Sequence, residues 1–158
     1  MSTAEQPTFL IANDQADYIA LLSDAVSGHG HFARHEIHSA FTVDEAVSVF
    51  EAKHPTHAFI DCNFQPGPRE DRGGVGVIQQ CRKIEVQKDR LRAYLAMVTA
   101  SYKIGFEPCS SGAKNAGADA AISIRGTNSI DSLHALLDAM ASYEPTNPAE
   151  FFEIGYKS

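Results

Sequence analysis

The sequence is poor in cysteine, in positive charge and in long apolar runs, and it contains no tryptophan. Its three cysteines, Cys62, Cys81 and Cys109, form no CxxC pair and are odd in number, so the sequence predicts free thiols in a reducing compartment. The 13 basic residues face 20 acidic ones, a net charge of -7 that argues against binding to nucleic acid. No stretch approaches the roughly 18 apolar residues of a membrane span, and the N-terminus lacks the features of a signal peptide. We therefore expect a cytoplasmic protein with neither membrane nor nucleic-acid partners.

The 158 residues suffice for one globular domain, in which short apolar runs alternate with segments of helical period. This alternation predicts a parallel sheet with helices on both faces. The predicted strands are 9–12, 32–39, 58–61, 94–99 and 120–124. We expect an N-terminal extension at 1–7, a domain at 8–142 and a tail at 143–158. A short helix is predicted in this tail, because Asn147 and Pro148 form a typical helix start.

Helix signals lie between the predicted strands. A first helix should end at Gly28, a second should begin at the capping box of Thr42 and Glu45, and a last one should begin near Ser129. The segment 101–115 contains two glycines and a proline. Any helix in that segment is therefore predicted to be short or irregular.

Polar side chains follow three of the predicted strands at their carboxyl ends. Asn13 and Asp14 follow the first strand, Asp61 and Asn63 stand at the third, and Thr99 ends the fourth. Open α/β sheets place their chemistry at this edge, where the ends of neighbouring parallel strands meet. We therefore expect these side chains to form one cluster.

This set of residues, with Gly117–Asp119 before the last strand, resembles the receiver domain of two-component response regulators over about residues 8–141. The resemblance implies a flavodoxin-like, doubly wound sheet of five parallel strands in the order 2-1-3-4-5. It implies that Asp61 accepts a phosphoryl group from a histidine kinase or phosphotransfer protein, and that Thr99 hydrogen-bonds that group. It further implies that Asp14, Asp61 and the backbone carbonyl of Asn63 bind Mg²⁺.

Three positions differ from the pattern that the resemblance implies. Asn13 replaces one of two acids, Ala121 replaces an aromatic residue, and Ile124 stands where a lysine is expected. Losing one acid together with one lysine leaves the net charge of the cluster unchanged, so the attraction for a cation is kept.

Three arginines are candidates to replace the missing lysine. Arg69 and Arg72 lie in a long loop after Asp61, and Arg125 follows the fifth strand. The alternative for the loop pair is a solvated charged loop without a role at the site.

The sequence thus predicts a stand-alone, atypical receiver that acts through protein contacts, with at most autocatalytic phosphoryl transfer to Asp61 as its enzymatic activity. The alternative is a pseudo-receiver that serves as a protein-binding module without phosphorylation. The tail aromatics favour docking on the chain itself over a homodimer or partner contact.

Three other patterns have alternative interpretations. Cys62 is weighed as a redox sensor, but a buried inert thiol is the favoured interpretation. The segment Asp61–Asn63 also resembles the start of haloacid-dehalogenase-type phosphatases, although its second acid is an asparagine. A zinc site is weighed against surface histidines for His29, His31, His35 and His38.

Overall fold

The computed structural model describes residues 6–64, 73–100, 103–126, 129–147 and 149–155. The strands are β1 (Thr8–Ala12), β2 (Glu36–Ala40), β3 (His57–Ile60), β4 (Tyr94–Thr99), β5 (Ala120–Ser123) and β6 (Phe152–Ile154). The helices are α1 (Ala16–Gly28), α2 (Val43–Lys53), α3 (Gly73–Gln87), α4 (Lys103–Ala116) and α5 (Ser129–Ala141). All neighbouring strands are parallel, in the order β2-β1-β3-β4-β5-β6. None of the helices described combines the length and the apolar character needed to cross a membrane.

The sheet buries both faces, and successive residues of each strand pack into different cores. On one face, Leu10 and Ile60 pack with the buried sides of α2, α3 and α4. On the other face, Phe9 and Phe59 pack with α1 and α5, where Leu136 is fully buried. This arrangement confirms the predicted doubly wound α/β fold, and it explains why the central strands are apolar throughout.

The tail differs from the prediction. The prediction of a helix from Asn147 is wrong, because the described part of the tail contains the strand β6 and no helix. The sheet therefore has six strands rather than the predicted five. The backbone N–H of Phe152 donates to Asp119 O at 3.0 Å, and Ile154 packs on the same core as Phe152. Phe151 packs on the opposite core, as the two-residue period of a strand requires. Pairing the open backbone groups of the β5 edge outweighs the local helix-start signal.

The prediction of a short or irregular fourth helix is also wrong. The helix α4 spans 14 residues with Pro108 inside it. Phe106, Cys109 and Ala113 are buried along one face of this helix. Burial of an amphipathic face stabilises a helix more than intrinsic propensity does, and this burial offsets the hydrogen bond that the proline cannot make.

A buried ion network ties α3 to the amino end of β5. The Arg82 guanidinium lies 2.7 Å from Glu85 Oε1 and 2.8 Å from Asp119 Oδ2, and it donates through Nε to Gly117 O at 2.9 Å. Gly117 has φ +105°, a conformation that L side chains rarely adopt. The described Gly117–Asp119 segment is therefore structural, and it lies at the opposite edge of the sheet from the end of β3.

Candidate functional site

The structure brings Asp14, Asp61 and Thr99 together at the carboxyl edge of the sheet. Asp61 follows β3, which lies between β1 and β4, and its backbone N–H donates to Ala12 O at 2.9 Å. Thr99 is the last residue of β4, and its hydroxyl hydrogen-bonds the Asp61 carboxylate. Asp14 lies close enough for its charge to act on Asp61. The predicted cluster is present in these residues.

The pKa of the Asp61 carboxyl lies close to neutral pH. Burial, and then repulsion from Asp14, raise its pKa from 3.8 to about 7. Hydrogen bonds from the backbone N–H groups of Cys62, at 2.9 Å, and of Asn63 oppose this rise, as does the bond from Thr99. Such a group gains or loses its charge with small changes in its surroundings, which is common at functional sites.

The first turn of α3 packs directly on the backbone of the site. Gly74 N donates to Cys62 O at 2.9 Å, and a Cβ placed on Gly74 would lie 1.8 Å from Asp61 O. Only glycine allows this approach, because real Cβ atoms do not come so close to a carbonyl oxygen. Gly74 therefore fixes the position of the Asp61 backbone.

Asn13 and Asp14 have different roles although they are neighbours. Asn13 is buried, and its Oδ1 accepts a hydrogen bond from Gln15 N at 2.9 Å. This side-chain to backbone bond shapes the turn from β1 into α1. Asp14 is partly exposed and faces Asp61. The resemblance implies an acid at position 13, and its place is taken by an asparagine whose side chain accepts a hydrogen bond within the turn.

The donor set of the cluster fits Mg²⁺. Asp14 and Asp61 are two carboxylates that repel each other, and Asn63 follows on the same loop with its backbone carbonyl. Hard oxygen ligands of this kind are those that Mg²⁺ prefers. Three or more His, Cys, Asp or Glu side chains that could hold a metal ion are not found together among the described residues. The candidate set is smaller, with two carboxylates and one carbonyl.

Two of the four positions considered for a cationic side chain near Asp61 lie among the described residues. Ile124 packs against the core beside α1 and α5, and its N–H donates to Thr99 O at 2.9 Å. Arg125 directs its Nε to Ala100 O at 2.6 Å, one residue beyond Thr99. Arg69 and Arg72 lie outside the described residues. Arg125 is therefore the candidate arginine that the structure places at the edge of the site.

A disulfide joins the site to α4, so the prediction of free thiols is wrong for this pair. Cys62, next to Asp61, is bonded to Cys109, with 6.0 Å between the two Cα atoms, whereas Cys81 is free and buried. The two bonded residues are 47 positions apart in the sequence. The packing of α4 on α3, β4 and β5 brings them together, and no local pattern indicates it.

A cavity of about 790 Å³ lies at the opposite edge of the sheet. Its lining includes His57, which begins β3, together with Arg90 and Tyr143. The full length of β3 separates this cavity from Asp61, so it takes no part in the site described above.

No protein-family model and no curated protein sequence matches the chain. Its fold is similar to that of a CheY-like response regulator receiver domain from Methanospirillum hungatei, with a TM-score of 0.63, 21% identity, and coverage of 86% of this chain and 94% of that one. The receiver domain of NtrX from Brucella abortus gives a TM-score of 0.63 at 22% identity, covering 86% of this chain and 99% of that one. A response regulator from Burkholderia pseudomallei with a phosphorylated aspartic acid, calcium ion and citrate gives a TM-score of 0.63 at 18% identity, covering 87% of this chain and 69% of that one. The chain therefore has the fold of response regulator receiver domains.

Proposed function

We propose that this chain is a receiver domain of two-component signalling that accepts a phosphoryl group on Asp61. The observation that carries the proposal is the cluster at the carboxyl edge, where the Asp61 carboxyl has Asp14 beside it and a hydrogen bond from Thr99. The fold supports the same conclusion, because similar solved structures are receiver domains. One of them, from Burkholderia pseudomallei, has a phosphorylated aspartic acid and a calcium ion.

In the proposed reaction, a carboxylate oxygen of Asp61 attacks the phosphorus atom of the donor. The new oxygen–phosphorus bond forms while the bond from phosphorus to the leaving group breaks, so the donor histidine or acetate departs with its electron pair. The Thr99 hydroxyl, which already donates to the carboxylate, is placed to donate to a phosphoryl oxygen. The ionised form of Asp61 is required, because only the carboxylate is a nucleophile.

A divalent cation would be held by Asp14, Asp61 and the backbone carbonyl of Asn63. When bound, Mg²⁺ neutralises phosphoryl oxygens and so favours attack by an anionic carboxylate. Arg125 takes the part of the missing lysine in this proposal, because its guanidinium is held at Ala100 O beside Thr99. The proposed phosphoryl donor is a histidine kinase or a phosphotransfer protein, and the output passes through protein contacts.

A pseudo-receiver, which binds a partner without phosphorylation, is the second candidate. It is favoured by Ile124, which packs into the core where a lysine would reach the site, and by Ala121, which is fully buried in β5. Without the lysine and the aromatic residue that these two residues replace, a conformational response to phosphorylation has fewer contacts that differ between two states.

Intact mass after incubation with acetyl phosphate distinguishes the two candidates. The reaction is run at pH 8, where Asp61 is mostly ionised, with Mg²⁺ or with a chelator. We expect one added phosphoryl group in the wild type with Mg²⁺, none with the chelator and none in Asp61→Asn. The control Asp138→Asn, an exposed acid on α5, should still be modified. An unmodified wild type would reject phospho-acceptance and leave the pseudo-receiver.

A further inference from the structure

The disulfide links the residue beside Asp61 to the middle of α4. Cys62 and Cys109 belong to the same core cluster, with exposed fractions of 0% and 3%. Cys62 also donates its backbone N–H to Asp61 Oδ1 at 2.9 Å. A single covalent bond therefore connects a residue that orients the Asp61 carboxylate to a helix that starts four residues after Thr99.

The helix α4 is intrinsically weak. It contains Gly105 and Gly112, and Pro108 immediately precedes Cys109. Glycine destabilises a helix interior relative to alanine, and proline destabilises it further because it removes a backbone donor. Segments with such sequences open locally at lower free energy than the rest of a domain. Local opening of such a helix would give reagents access to a sulfur pair that is buried in the closed structure.

The tail also contacts α4. The Ser110 hydroxyl donates to the Glu153 carboxylate of β6, and the Lys114 ammonium lies 5.5 Å from the centre of the Phe151 ring. These contacts are weaker than a covalent bond. The disulfide is the one covalent cross-link between α4 and the rest of the chain among the described residues.

We propose that Cys62 and Cys109 form a reversible thiol–disulfide site that exchanges with low-molecular-weight disulfides, and that its oxidised form clamps α4 to the residue beside Asp61. In the oxidation, one thiolate attacks the reagent disulfide and releases one reagent thiol, which leaves a mixed disulfide. The second thiolate attacks this mixed disulfide and releases the second reagent thiol. Two protein thiols thus become one disulfide, and the reagent disulfide takes up the two electrons and two protons.

The regulatory consequence rests on the function proposed above. The clamp fixes the backbone that donates to Asp61, and it restrains α4, which begins four residues after Thr99. Phosphorylation requires the Thr99 hydroxyl to exchange its bond with the carboxylate for one with a phosphoryl oxygen. We expect the reduced protein to react with acetyl phosphate about fivefold faster than the oxidised protein, the rate equivalent of one hydrogen bond.

The redox chemistry is tested without reference to phosphorylation. The full chain is incubated with oxidised glutathione or with dithiothreitol, alkylated, and analysed by intact mass and peptide mapping. The proposal expects a Cys62–Cys109 cross-link that dithiothreitol reverses. The variant Cys81→Ala should form the same cross-link, whereas Cys109→Ala, with Cys109→Ser as a second variant, should form none. Three alkylated thiols after oxidation, or a cross-link that includes Cys81, would overturn the proposal.

The clamp and its consequence have separate readouts. Amide hydrogen exchange of α4 should be slower in the oxidised wild type than in the reduced one, and Cys109→Ala should resemble the reduced protein under both conditions. Equal exchange in the two states would overturn the clamp. Equal rates of phosphorylation in both states would overturn the regulation of Asp61. Absence of phosphorylation in both states, with the cross-link and the change in exchange present, would reject the proposed function and leave the redox site standing.

Discussion

Replacing Asp61 with asparagine should make the metal-free protein more stable at pH 8 and should change it little at pH 4. Burial and the charge of Asp14 raise the pKa of this carboxyl in the folded protein to about 7. In the unfolded chain the pKa of this carboxyl is 3.8. The free energy of unfolding therefore falls as the pH rises from the unfolded pKa to the folded one. This penalty is absent below the unfolded pKa and complete above the folded one. Asparagine carries no charge and avoids it.

The magnitude follows from the two pKa values. They differ by roughly three pH units, and each unit is worth about 1.4 kcal/mol, so the full penalty is about 4 kcal/mol. The new asparagine side chain would still accept hydrogen bonds from Cys62 N and Thr99, but its amide protons need new partners, which costs about 1 kcal/mol. We therefore expect a net gain of about 2 to 4 kcal/mol in the free energy of unfolding at pH 8.

Urea unfolding at pH 4 and pH 8, with a chelator and in one redox state, measures this gain. The control Asp24→Asn, which changes an exposed acid on α1, should alter stability by less than about 0.5 kcal/mol at both pH values. Mg²⁺ should stabilise the wild type at pH 8 and should have little effect on Asp61→Asn, because a ligand stabilises only the state that binds it. An Asp61→Asn variant that is equal to or less stable than the wild type at pH 8 would refute the reasoning.

Three further comparisons, which use five variants, test the packing around the site and the core. Gly74→Ala should displace the site and lose more than about 3 kcal/mol, because its Cβ would lie 1.8 Å from a backbone oxygen, while Gly76→Ala, which meets nothing within 4 Å, should gain up to about 1 kcal/mol in chemical unfolding. Arg82→Met should lower the free energy of unfolding by about 3 to 5 kcal/mol, since it leaves buried acids uncompensated. Its control Arg92→Met, which changes a side chain that is 42% exposed, should lower it by less than about 1 kcal/mol. Equal losses would contradict the role of Arg82 in the buried ion network. Burial lowers the pKa of His57 to about 4, so the wild type should lose roughly 3 kcal/mol from this group as the pH falls from 6.5 to 4, and His57→Phe should show a correspondingly smaller acid loss; identical pH profiles would contradict it.

Periodicity predicts most of the sheet because its central strands are buried on both faces. The apolar run that becomes β4 is bounded by charge before it and by polar residues after it, and the structure confirms the strand as Tyr94–Thr99. The capping box is confirmed as well, with Glu45 N donating to Thr42 Oγ1 at 3.1 Å. The grouping of Asp14, Asp61 and Thr99 follows from the rule that parallel strands end at one edge.

The remaining features depend on contacts between distant segments. The helix α4 forms because Phe106 and Ala113 find a core to enter, which the glycines and the proline of its sequence do not indicate. The tail forms a strand because β5 has an open edge beside it, although Asn147 begins a segment typical of helices. The bond between Cys62 and Cys109 depends on the placement of α4 and has no local signal.

Locating the phosphoryl group at residue level tests the central proposal most directly. The reduced wild type is treated with acetyl phosphate and Mg²⁺ at pH 8, and borohydride then converts any aspartyl phosphate to homoserine, which tandem mass spectrometry assigns to a position. We expect homoserine at position 61, and we expect its loss when Asp14→Asn removes the second carboxylate of the cluster. Homoserine at another aspartate position, or none in the wild type, would contradict phospho-acceptance at Asp61.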